Sequence, residues 1–141
     1  MSLLEPRIGQ GVLQAAPGRG GDTLNGPIAD QVPVFRTLDF STMTRPALVV
    51  AGDQDDSRHF TDMGPAWHYD PYHLAPGAKT LLTVFGAGHL LGGIHRYDAA
   101  ESSQLPDEDP GHAAAIARLT AAYLRSRFGR GDDAWKQAGR S

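Results

Sequence analysis

No cysteine occurs among the 141 residues, so neither a disulfide nor thiolate chemistry is open to this chain. Lysine is nearly missing as well: of 13 basic residues all but Lys79 and Lys136 are arginine, and 16 acidic residues leave a net charge of −3. That balance supplies no basic face for phosphates and excludes nucleic acid as the main partner. No apolar stretch approaches the ~20 residues of a membrane span, and the start carries no leader pattern. The expectation is a cytoplasmic protein with no membrane partner. Met1-Ser2-Leu3 reads as an expression scar. The preference for arginine, with abundant alanine and glycine, fits a GC-rich bacterial genome.

What is present is ordinary for a globular protein: 40% hydrophobic and 21% charged residues. The length suits one domain with a real core. Residues 4–128 read as that domain, and residues 129–141 as a polar tail with Trp135 as an anchor. There is no internal repeat. The 17 glycines and 10 prolines fall mostly between apolar runs and mark long loops.

Three runs read as strands. Ile8–Pro17 is rich in small residues that suit a central, closely packed position. Ala47–Ala51 is a continuous apolar run bounded by Pro46 and Gly52, the pattern of a parallel strand buried on both faces. Lys79–Phe85 is the third. Connections of this length suit crossovers between parallel strands. A short helix or turn is expected around Ile28–Thr37, a helical stretch near His59–Trp67, and a helical turn around Tyr97–Ser102. The best helix runs from Gly111 to Phe128. It has Ile116, Leu119, Tyr123, Leu124 and Phe128 on one face and Arg118 and Arg125 on the other. Asp109 suits its N-cap, Pro110 its first turn and Gly129 its C-cap.

Two strand ends carry the chemistry. Gly52-Asp53-Gln54-Asp55-Asp56 follows the second strand. Gly86-Ala87-Gly88-His89 follows the third. Ligands of open α/β sheets bind at the carboxyl ends of the strands. A carboxylate held there can orient a histidine, and a histidine can serve in turn as general base and acid. An acidic turn and an idle loop histidine are the plainer readings of each motif alone; the pairing favours function. Trp67-His68-Tyr69-Asp70-Pro71-Tyr72-His73, with His59 upstream, could ligate zinc through His59, His68, Asp70 and His73, but a packed aromatic loop is the better reading. Gly18-Arg19-Gly20-Gly21 lacks the lysine and hydroxyl of a phosphate loop and has Asp22 beside it, so it reads as a plain loop. Arg130-Gly131-Asp132 reads as solvated tail.

Pro46–Asp55 and Phe85–His89, followed by the amphipathic helix, resemble the C-terminal portion of an α/β-hydrolase, from the sixth strand to the final helix, over residues 8–128. The Trp-His-Tyr-Asp-Pro-Tyr-His and Leu-Gly-Gly-Ile stretches are similar to bacterial hydrolases near the chlorophyllase and dienelactone-hydrolase branches. The resemblance implies an α/β fold with a mostly parallel three-stranded sheet and flanking helices, a partial hydrolase fold. It implies His89 as triad base and Asp55 as triad acid, with Asp53 and Asp56 as alternatives. It implies ester or related acyl hydrolysis of a small-molecule substrate, with no metal or organic cofactor. Leu90, Leu91 and Trp67 would suit an apolar acyl or aryl group.

The family's nucleophile, a serine in Gly-x-Ser-x-Gly, has no counterpart: none of the seven serines sits between the required glycines. The covalent cycle is therefore not expected of this chain alone. It reads as part of a larger hydrolase or as a short product. The rival is a non-catalytic module that self-associates through the exposed edge of the first strand, where the resemblance implies a missing neighbour.

Overall fold

The computed structural model describes residues 7–93, 109–131 and 133–139. Its centre is a three-stranded sheet of β1 (Gly11–Gln14), β2 (Ala47–Gly52) and β3 (Lys79–Val84), in the order β1-β2-β3 and parallel throughout. Val50 lies opposite Gln14 on one side and Leu82 on the other. The unbroken apolar run of β2 is buried at every residue, as a central parallel strand must be. β1 is shorter than its apolar sequence suggests. It lies at an edge of the described sheet rather than in its middle, and its four residues are only half-buried. Its small side chains serve a different contact: Cβ of Gly11, had it one, would touch Ala47 of the neighbouring strand. β3 stops one residue early, because Phe85 turns out into solvent.

Leu48 and Val50 point to one face of the sheet, where they pack with Ala15, Ala87, Leu91, Ile116 and Tyr123. Ile116 and Tyr123 come from α3 (Pro110–Arg127), the helix the spacing anticipates. Asp109 caps it: its Oδ1 accepts from the backbone N–H groups of Gly111 at 2.7 Å and His112 at 3.2 Å. Gly129 takes φ +67°, a left-handed conformation that closes the other end at little cost. Phe128 departs from expectation and is exposed. It occupies the C-cap, and the apolar stripe continues in sequence past the last turn that meets the core. In the tail, residues 133–138 form α4 (Asp133–Ala138), and Trp135 stacks edge-on against Tyr123 with ring centroids 5.2 Å apart.

The first crossover holds α1 (Gly26–Gln31) and a 3₁₀ turn at Pro33–Arg36, where the sequence suggests a short helix or turn. In the second crossover, the helical stretch expected at His59–Trp67 falls later. A 3₁₀ turn covers Gly64–Tyr69 and leads into α2 (Asp70–Leu74). Gly64-Pro65 sets that start, since proline is favoured at a first helical turn. The expected turn at Tyr97–Ser102 lies outside the described residues. Among the described residues no helix is long and apolar enough to cross a membrane.

Candidate active site

The site is built where β2 and β3 end. Gly52 closes β2, and a Cβ there would stand 2.1 Å from the Ala87 carbonyl oxygen, so only glycine lets the two following loops touch. Once in contact they are tied together. Gln54 N–H donates to the Ala87 carbonyl at 3.0 Å, and Asp53 Oδ1 accepts from Gly86 N–H at 2.6 Å. Gly86, at φ +81°, provides the turn that presents this N–H.

These ties give the three carboxylates of the loop three different environments. Asp53 clamps the histidine loop through Gly86. Asp56 is exposed and pairs with Arg58. Asp55 alone is driven inward, with 1% of its surface accessible. Both its oxygens are engaged. Ser57 Oγ donates to Oδ1 at 2.7 Å, while His89 Nδ1 and His68 Nε2 each approach Oδ2 at 3.0 Å. Burial alone pushes the Asp55 carboxyl up, as desolvation penalises the charge. The hydrogen bonds from His68, His89 and Ser57 outweigh it and hold the group well below the usual carboxylate range.

The sequence brings Asp55 and His89 to one place from 34 residues apart, as their strand ends suggest. It offers His68 only within the alternative zinc set, not beside Asp55 and His89. The His68 ring is 1% exposed and is fixed at both ends, by Asp55 through Nε2 and by the Ala16 carbonyl, 2.8 Å from Nδ1. A carbonyl only accepts, so Nδ1 donates to it, and the contact with the Asp55 carboxylate, also an acceptor, needs a donor at Nε2 as well. Aromatic packing delivers the ring to this position. Trp67, next in chain, stacks with Phe60 and meets Phe35 edge-on, each with centroids 5.9 Å apart, which seats the 3₁₀ turn over the site. Ser57, which no motif singles out, has φ +40°, strained for a serine, and its Oγ also lies 2.9 Å from His68 Nε2. An Asp-x-Ser step past a strand and an aromatic-flanked histidine were the available signals.

The alternative histidine cluster does not assemble as such. Of His59, His68, Asp70 and His73, only His68 joins the Asp55–His89 cluster, while His59 lines the neighbouring cavity. Asp70 instead accepts from the backbone of Arg19, fastening the glycine-rich loop. The expected apolar lining is likewise redistributed. Leu91 and Trp67 are buried in the two hydrophobic cores, and Leu90 alone of the three faces the cavity.

That cavity measures about 520 Å³ and is lined by Asp55, Ser57, Phe60, Gly88, His89 and Leu90 among others. Its size falls in the range of small-molecule sites, roughly 300–1,000 Å³. The His89 side chain, 51% exposed, stands at its wall with a buried, ionised carboxylate behind it. Such an arrangement can fix one tautomer of an imidazole and stabilise its protonated form. Comparison with protein-family models, curated proteins and solved structures returned no match for this chain.

Proposed function

We propose that this chain carries the acid and base of a hydrolase site of the α/β-hydrolase kind, acting on a small-molecule ester or related acyl bond. The observation that carries the reading is the hydrogen bond of 3.0 Å between His89 Nδ1 and the buried Asp55 carboxylate, beside an open cavity. Asp55 orients the His89 ring and stabilises the imidazolium that forms when the ring takes a proton. His89 takes the proton from the attacking hydroxyl and returns it to the leaving group. In the full cycle that hydroxyl is a serine supplied from outside this sequence. Ser57 does not take that part, because its Oγ is committed to Asp55 and His68.

Without the serine, His89 can still activate water toward an activated ester. Positioned general-base catalysis contributes roughly 10²–10⁴-fold. Chelator-treated full chain is therefore expected to hydrolyse 4-nitrophenyl acetate roughly 10²-fold faster than its His89→Ala variant, the low end of that range. A rate equal to the variant's would sink the reading.

A second reading rests on β1, which pairs on one side only among the described residues. A second copy adding its own β1 there would make the chain a homo-oligomer. Sedimentation equilibrium would then give a mass rising with concentration, and a monomer at all concentrations would dismiss it.

A further inference from the structure

The same three side chains that form the acid–base pair also form the donor set of a metal site. We infer that Asp55, His68 and His89 bind one divalent first-row cation, zinc being the best fit, through Asp55 Oδ2, His68 Nε2 and His89 Nδ1.

These donor atoms come from three separate segments and lie within 4.8 Å of one another, with both ring nitrogens 3.0 Å from the same carboxylate oxygen. In a tetrahedral site with bonds of about 2.0–2.1 Å, donors stand roughly 3.3 Å apart. Each Asp55–histidine pair therefore needs to open by only a few tenths of an ångström, and the two ring nitrogens, within 4.8 Å of each other, settle to the same spacing around the ion. Two imidazole nitrogens and one carboxylate oxygen suit zinc and its neighbours; calcium and magnesium prefer oxygen alone.

The surroundings of the cluster make the case independently of the distances. A ligating histidine usually gives its second N–H to a carbonyl or carboxylate, and a ligating carboxylate is itself hydrogen-bonded. Both supports are in place. His68 Nδ1 is on the Ala16 carbonyl at 2.8 Å, which turns Nε2 inward, and Ser57 Oγ holds Asp55 Oδ1, which leaves Oδ2 for the ion. Asp55 and His68 are each 1% exposed, so two ligands are held rigidly in the interior. His89 is half-exposed on the cavity wall, which gives the ion a path in and room for a water or substrate atom as a fourth donor.

Binding would expel any protons on His68 Nε2 and His89 Nδ1 and replace the hydrogen bond between His89 and Asp55. The metal-bound and acid–base forms are thus alternative uses of one cluster. The inference does not depend on hydrolase chemistry, because it is read by binding alone.

The test is calorimetric titration of zinc chloride into chelator-treated full chain, with visible absorption of the cobalt(II) form as a second readout. The expected result is one ion per chain, cobalt bands of low coordination number, and affinity weakened at least ~10-fold by His89→Gln. His89 is exposed enough for that variant to fold, which circular dichroism confirms alongside. His73→Gln, away from the cavity, is expected to bind as the parent does. Failure of the folded parent chain to bind zinc would overturn the inference. So would undiminished binding by His89→Gln, or loss of binding in His73→Gln.

Discussion

The two ends of the sheet each hold a charge with three partners, yet they differ in kind. At the amino end, Lys79 Nζ donates to three backbone carbonyls, of Met43, Arg45 and Pro76, at 2.6–2.9 Å. At the carboxyl end, Asp55 receives three side chains: Ser57, His68 and His89. Carbonyls can neither gain nor lose a proton, so the lysine site can only hold the chain together. Imidazoles can move protons or take up a metal, and one of them stands at a cavity. The count of partners is equal; the chemistry of the partners separates a fastening from a candidate active site.

The largest effect that sharpens this contrast is expected from Asp55→Ala. Removing one member of a buried charged cluster costs about 3–5 kcal/mol, since His68 would be left buried without its counterpart. Urea unfolding measures it, and a loss under about 1 kcal/mol would mean the carboxylate is not held as described. Lys79→Met should cost less, roughly 1–3 kcal/mol for charged hydrogen bonds to carbonyls at a more solvated site. It should also leave ester hydrolysis by His89 at the parent rate. A fall in that rate would show the two ends to be coupled.

The pH dependence separates them further. The carboxyl of Asp55 is depressed in the folded state, so its contribution is fully present above its unfolded value of about 3.9 and fades as pH falls through the folded value below that. The stability gap between parent and Asp55→Asn should therefore hold steady from neutrality to about pH 4 and narrow only below it. Narrowing already at pH 6 would contradict the ionised, hydrogen-bonded carboxylate. Smallest in stability, about 0–1 kcal/mol, is His89→Ala, because that side chain is half in water. Its effect should appear in hydrolysis instead.

Much of this contrast was legible in the sequence, and particular residues tell why. The apolar run of β2 and its closing Gly52 identify a buried parallel strand, because burial on both faces leaves no room for polar alternation. Asp109, Pro110 and Gly129 bound α3 because cap chemistry is local. Asp55 and His89 could be paired because each sits a fixed, short step past a strand end.

The choice among Asp53, Asp55 and Asp56 was not legible. It depends on Ala87 and Gly86 of the other loop, contacts that no local pattern encodes. The place of His68 beside Asp55 was hidden for the same reason. Its direction is set by Phe35 and Phe60 packing on Trp67 and by a carbonyl 52 residues away. Phe128 misled because periodicity gives the face of a helix, not the length of the surface that it meets.

The most direct measurement is the long-range proton–nitrogen correlation spectrum of the histidine rings in chelator-treated full chain, recorded beside Asp55→Asn. If one carboxylate is shared by His68 and His89, the ring nitrogens of both must shift in the variant, while those of His59 and His73 stay in place. Movement of His68 alone, or of neither ring, would contradict the account: His89 would then have no carboxylate behind it, and the acid–base pair at the sheet's carboxyl end would not exist.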